Sequence, residues 1–228
     1  MSREARMKPE TKARQAQLIS SSAADSTRVG IIVLAAGAST RMGESKQLLR
    51  YEGETLLRRA VNAALASRCR PVIVVLGASL GALRDEVAGT GASIAVNEAW
   101  AEGMSSSIRC GVAALEAATE GRAEALVLML CDQPFVTGRV VNRLLETYDA
   151  RRPLPLLVAS EYQSRDEKTR GVPALFSRPL FSELLALRGS AGAKQVIAQH
   201  STEAAVIAVP EAAFDVDTPH DYRVLQAR

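Results

Sequence analysis

The sequence predicts an α/β domain whose mostly parallel sheet is covered by helices on both faces. Three observations predict it. Short, continuous apolar runs at Val29–Ala35, 71–76 and 125–130 read as strands buried on both faces, because a half-exposed strand would alternate apolar with polar residues. Segments with apolar residues at helical spacing lie between these runs, the alternation that gives a parallel sheet. Finally, 47% of the 228 residues are apolar but only 4% aromatic, so the core is one of small aliphatic side chains.

The elements follow in order. After the first run, residues 56–66 place Leu56, Leu57, Ala60, Val61, Ala64 and Leu65 on one helical face, with Arg58 and Arg59 outside. The second run, PVIVVL, precedes a short helix at Leu80–Val87 and a third strand at Ser93–Val96. Met104–Ala118 is helical, the run ALVLML is a fourth strand, and a helix covers 137–148 after the sequence CDQP. The last third gives strands at 156–159, 173–176 and 204–209. Helices are expected there at 179–187, at 191–200 and from Pro219 onward.

Residues 1–28 stand apart. They hold six basic and three acidic residues, which accounts for the whole net charge of +3, leaving 22 of each sign in the remainder. Without an apolar core they are no secretory signal, and they read as a flexible, solvated extension. Residues 29–228 read as one domain, with no linker or repeat inside it. A neutral body with few aromatics offers no general surface for nucleic acid, and no apolar run is long enough to span a membrane. Cys69, Cys110 and Cys131 form neither a disulfide framework nor a zinc motif, which points to a reducing cytoplasm.

In such sheets ligands bind beyond the carboxyl ends of the strands, and the unusual polar segments fall there. The first reads LAAGASTRMGESKQLL. Gly37 and Gly43 permit close backbone approach, Ser39 and Thr40 add donors, and Arg41 and Lys46 add positive charge, a nest for phosphate oxygens. Its spacing differs from a Walker A loop, and the plain alternative is a solvated turn. Asp132, at the tip of the fourth run, is placed to hold Mg²⁺, although a lone Asp-x-Pro also serves as a cap or loop residue. In FDVDTP, extended backbone puts Asp215 and Asp217 on one face, while Asp217 or Thr218 also suits the N-cap of the helix opened by Pro219. NEAWAEGMSSS offers serine hydroxyls at a helix start, or simply an N-cap at Ser105 with a packed Trp100. His200 and His220 read as isolated surface residues, and Arg165 to Arg170 as a mobile loop.

Taken in order, LAAGASTRMGESKQLL, NEAWAEGMSSS, LCDQP, RGVPALF and FDVDTPHDY resemble the molybdenum cofactor cytidylyltransferases, within the NTP transferases that mature that cofactor. The resemblance runs from Val29 to the C-terminus. It implies a single Rossmann-like nucleotidyltransferase domain with CTP as donor, Mg²⁺ as cofactor and the phosphate of molybdenum-molybdopterin as acceptor. A molybdoenzyme or its maturation chaperone is the further partner it brings.

Residue by residue, the resemblance places Leu34, Ala35, Ala36, Gly37 and Ser106 along the nucleotide and Arg41 and Lys46 on its phosphates. Asp132 and Asp217 become metal contacts, with Asp215 a lesser candidate. Ala36 stands where guanylyl-transferring relatives tend to carry glycine, which favours cytidine. Val172, Ser190 and Lys194 depart from the histidine, acidic residue and arginine common at those places, on the half expected to face the acceptor. A phosphate monoester is largely dianionic at neutral pH, so its attack on the α-phosphorus needs no general base. The competing readings are GTP as donor, a sugar or polyol phosphate as acceptor, and a nucleotide-binding chaperone that delivers cofactor without catalysis.

Overall fold

The computed structural model describes residues 29–164 and 167–228, so the extension expected at 1–28 lies outside the described residues. Strand β1 (Val29–Ala35) is an interior strand of a seven-stranded sheet, between β4 (Val72–Leu76) and β6 (Ala125–Leu130), parallel to both. Beyond β4 lies β5 (Ser93–Val96), again parallel. On the far side of β6, the antiparallel β8 (Glu167–Ser177) is followed by β7 (Leu157–Ser164) and β9 (Ala205–Ala208). Strand β7 runs antiparallel to β8 and parallel to β9.

Seven α-helices complete the described residues: α1 (Leu56–Leu65), α2 (Leu80–Val87), α3 (Met104–Ala118), α4 (Gly138–Asp149), α5 (Phe181–Ala186), α6 (Ala193–Gln199) and α7 (Pro219–Gln226). The period of two along β1 divides the interior. Ile31, Val33 and Ala35 face a core with α1, α2 and α4, while Ile32, Leu34 and Ala36 face a second core with α3, α5 and α6. All seven residues of β1 are buried, as a continuous apolar run requires. Among the described residues no helix is long and apolar enough to cross a membrane.

Three expectations change. A small antiparallel ribbon, β2 (Arg50–Tyr51) with β3 (Glu54–Thr55), was invisible to periodicity because each strand has two residues. Its turn places Glu52 and Gly53 at φ 50° and 85°, both left-handed, in the manner of a hairpin turn whose twist matches the strands. Second, the segment expected to loop at 165–170 is strand from Glu167 on, and Lys168 and Arg170 lie 3.4 and 3.6 Å from Glu161 across the ladder. Third, His200 is not isolated: its Nε2 lies 2.9 Å from each carboxylate oxygen of Glu183, joining α6 to α5.

Packing of α3 on the sheet is tight enough to test. A Cβ on Gly111 would stand 2.6 Å from Cγ2 of Ile32 and 3.0 Å from Cγ2 of Val75, both on β-branched side chains fixed in the sheet. Gly111→Ala is therefore expected to cost about 1–3 kcal/mol through overpacking, against the slight gain alanine gives an open helix. Urea unfolding measures it, and an unchanged midpoint would contradict this packing.

Candidate active site

The site is built at the carboxyl ends of β1 and β6. After β1 the chain turns through the loop 36–49, which one side chain organises. Gln47, 1% exposed, donates from Nε2 to the carbonyls of Ala35 (3.2 Å) and Gly37 (2.7 Å). Its Oε1 accepts from the hydroxyls of Ser39 (3.1 Å) and Ser45 (2.8 Å). Ser39 thus serves the loop, also accepting from the Lys46 N–H at 3.2 Å, and is not a free donor for a ligand. Gly37 stands open, with nothing within 4 Å of where its Cβ would be.

The loop delivers Lys46 between two carboxylates. Its Nζ lies 2.5 Å from Oδ2 of Asp132 and 2.6 Å from Oδ1 of Asp217. The two acids come from segments 85 residues apart in sequence, brought together by the Val216 N–H donating to the Asp132 carbonyl at 2.9 Å. Arg41 Nη2 adds a 2.9 Å pair with the other oxygen of Asp217, from a side chain 71% exposed. The question of which residue caps the last helix is settled by a capping box. Thr218 accepts from the Asp221 N–H and Asp221 returns the bond, which leaves Asp217 free to face Lys46.

The charges lean accordingly. Burial opposes the charged form of Lys46, but Asp132 and the two carboxylate hydrogen bonds outweigh it and hold the ammonium well above the ordinary lysine range. For Asp217, desolvation works upward and loses to Lys46 and Arg41, which keep its carboxyl below the usual range. Burial, with Asp132 second, pushes the Cys131 thiol up to about 12, so it lines the site as a neutral group.

Asp215 behaves differently. Although the residue is exposed as a whole, desolvation of its carboxyl and the nearby charge of Asp132 raise it to about 6, against the smaller opposing effect of Gln133. Folded Asp215 therefore holds its proton up to a higher pH than the unfolded chain does. Its contribution to stability is full below about pH 4 and is lost as pH rises through about 6. Asp215→Asn is expected to be more stable than the parent at pH 7.5, by on the order of 1 kcal/mol after allowance for solvent screening, and equal to it near pH 3. Denaturant titrations at the two pH values check the sign.

Leu34, Ala35, Ala36, Gly37, Lys46 and Asp132 line a cavity of about 320 Å³, together with Gln47, Trp100, Met104 and Ser107. That size suits a nucleoside-scale ligand. Arg41 and Asp217 stand outside its wall and reach it through Lys46. Ser106 is placed elsewhere: it donates to the Gly103 carbonyl (2.8 Å) and accepts from Asn97 Nδ2 (2.9 Å), and Ser107 takes the position on the wall. Helix α3 is capped by Gly103 at φ 112°, not by Ser105, whose hydroxyl donates to the Gly189 carbonyl at 2.7 Å. Of the departures from the family pattern, Val172 is buried, with its carbonyl accepting from Gln133 at 3.3 Å.

The donor set suits a divalent cation that brings phosphate oxygens with it. Asp132 and Asp217 converge on one position, now occupied by the ammonium, and Oδ1 of Asp132 is buried without a hydrogen-bond partner. Among the described residues no three metal-binding side chains cluster, so any such ion would complete its shell from the substrate, as Mg²⁺ commonly does.

Gln47, Asn97, Ser107 and Gln133 carry this architecture; the first, second and fourth have no role assigned from the sequence, and Ser107 is there only one of three undistinguished serines. Each is 7% exposed or less, and a buried polar residue beside a glycine-rich or strand-end motif is the signal that marks them.

An α/β sheet with a basic glycine loop and an aspartate at neighbouring strand tips suits an enzyme that handles nucleotide phosphates, and the comparisons make the class a nucleotidyltransferase. The chain belongs to the family of MobA-like NTP transferase domains, whose pattern matches residues 31–204. It is 32% identical over 175 residues to the nicotine blue oxidoreductase of Paenarthrobacter nicotinovorans, covering 74% of this chain and 80% of that one. With the molybdenum cofactor cytidylyltransferase of Escherichia coli it shares 25% over 201 residues, 88% of this chain and 96% of the relative. The crystal structure of Rv0371c from Mycobacterium tuberculosis superposes with a TM-score of 0.75 at 31% identity, covering 88% of this chain and 98% of that one. That protein has also been solved in complex with manganese.

Proposed function

We propose that this protein transfers a cytidylyl group from CTP to the phosphate of molybdenum-molybdopterin in the cytoplasm, making the dinucleotide cofactor and pyrophosphate. The observation that carries the reading is the Lys46 ammonium, held between Asp132 and Asp217 on the wall of a nucleoside-sized cavity floored by residues 34–37. The length-wide match to a cytidylyltransferase and alanine at position 36 support cytidine over guanosine.

In the reaction, an acceptor phosphate oxygen forms a bond to the α-phosphorus of CTP. The bond from that phosphorus to the bridging oxygen breaks, and pyrophosphate leaves with its electron pair. Lys46 and Arg41 hold positive charge against the phosphates, and the open face at Gly37 lets backbone approach them. Asp132 and Asp217 would hold Mg²⁺, which when bound supplies charge neutralisation at the phosphate oxygens. Because the acceptor arrives ionised, the neutral Cys131 thiol has no part to play as base or nucleophile.

The kinship with an oxidoreductase favours a second reading, in which the same loop holds the phosphates of a redox nucleotide. Formation of a dinucleotide product separates the two. Purified protein with Mg²⁺, molybdenum cofactor and equal CTP and GTP is expected to release pyrophosphate and give a product with the mass of the cytosine dinucleotide. A guanine dinucleotide would change the donor, and no dinucleotide of either kind would overturn the proposal.

A further inference from the structure

We propose that Trp100 is the nucleobase wall of the cavity, its indole lying against the pyrimidine ring of the donor while the donor's phosphates run to Lys46. The proposal rests on the nucleotidyl-transfer reading above and assigns the residue that recognises the ring. Among the described residues, the large apolar side chains left exposed are Trp100 (38%), Met104 (45%) and Leu185 (38%). Two of the three line the same cavity. A single exposed apolar side chain is ordinary, but two that share a cavity with a charged wall make an amphipathic site.

The turn that carries the indole is fixed before any ligand arrives. A Cβ on Gly77 would stand 2.6 Å from the Trp100 Cβ and 2.9 Å from the Ala36 carbonyl oxygen, so the turn bearing Trp100 packs on Gly77, which in turn lies against the end of β1. The Ala78 N–H donates to the same Ala36 carbonyl at 3.1 Å. Asn97, 5% exposed, accepts from the Ala99 N–H at 3.0 Å and donates to the Ser106 and Ser107 hydroxyls, fixing the Trp100 turn and the Ser107 wall together. Trp100 thus shares the cavity wall with Ala36, Gly37 and Ser107, a lining that suits a flat ring.

Strand order sets the direction in which the donor lies. Trp100 follows β5 and its neighbour Gly77 follows β4, on one side of β1, whereas Asp132 ends β6 on the other. From β4 to β6 is two strand spacings, about 10 Å, a span that ribose and α-phosphate bridge. An acceptor would then approach from the β8 side, where Lys194 Cε lies 3.4 Å from the Cβ position of Gly171.

Trp100 is the sole tryptophan of the 228 residues, so the intrinsic indole fluorescence of the full chain reports on this wall alone. Titration with CTP and Mg²⁺ is expected to quench it saturably. Inorganic tripolyphosphate with Mg²⁺, which carries the charge without a ring, is expected to bind by calorimetry and leave the emission unchanged. Trp100→Ala should weaken CTP about tenfold or more and Trp100→Phe by about threefold or less, with tripolyphosphate binding unaltered in both. Equal quenching by tripolyphosphate, or wild-type CTP affinity in Trp100→Ala, would overturn the proposal. Should Trp100→Ala fail to fold, the comparison of the two ligands on the parent protein still decides. A protein that quenches with CTP yet forms no cytosine dinucleotide would refute the proposed reaction and leave the ring wall standing.

Discussion

Asp132→Asn is expected to lower kcat/KM for nucleotidyl transfer by about 10²–10³-fold while the protein stays folded. The substitution keeps the shape of the side chain and removes its charge from the point where Lys46 and Asp217 meet. Stability should change little, within about 1 kcal/mol. Lys46 retains Asp217, and the buried Oδ1 that now lacks a partner gives up a negative charge that is poorly solvated. Steady-state pyrophosphate release with a thermal melt on the same sample checks both halves. Turnover like the parent's would remove Asp132 from the site.

Lys46→Met is expected to damage function and fold together. Methionine matches the stem of lysine but leaves Asp132 and Asp217, 13% and 32% exposed, facing each other across a gap with no cation. The expected loss is about 3 kcal/mol at pH 7, with transfer reduced by about 10²-fold or more. The pH dependence carries the diagnosis. In the parent, Lys46 helps to depress Asp217, so that contribution is present above the ordinary carboxyl value and is lost as pH falls through the depressed one. The difference between parent and variant should therefore be widest above about pH 5 and shrink toward pH 2. A difference independent of pH would mean that the loss does not come from the ion pairs with Asp132 and Asp217.

Much of this fold was legible because its central strands are buried on both sides. Val29–Ala35 and Ala125–Leu130 could be read without a partner, since continuous apolar runs of that length have few other uses. The antiparallel β7–β8 hairpin was harder. Its outer half carries Glu161, Lys168 and Arg170, which pair across the ladder, so charge concealed the strand. The two-residue ribbon at Arg50–Tyr51 and Glu54–Thr55 left no periodicity at all.

For the site, Asp132 was legible at a strand tip and Lys46 and Asp217 in the polar loops LAAGASTRMGESKQLL and FDVDTP, and the fold places Lys46 against both carboxylates. What could not be read was the scaffolding. Nothing in LAAGASTRMGESKQLL says that Gln47 turns inward to hold the Ala35 and Gly37 carbonyls, or that this occupies Ser39. Nor does the run of serines reveal which one faces the cavity. Helix α3 begins at Met104 because Gly103 alone tolerates its left-handed φ beside the Gly189 carbonyl, and that start rotates Ser107 onto the wall instead of Ser106. A shift of one residue in a helix start turns its face by about 100°, more than sequence spacing can resolve.

On the proposed reading, Asp132 and Asp217, bridged here by Lys46, form with the phosphates of CTP a single site for a divalent ion. Binding of Mn²⁺ followed by electron paramagnetic resonance, with and without CTP, tests it most directly. The parent protein is expected to bind one Mn²⁺ weakly alone and tightly with CTP, and Asp132→Asn to lose most of the CTP-dependent gain. Equal Mn²⁺ affinity of the two proteins in the presence of CTP would contradict it.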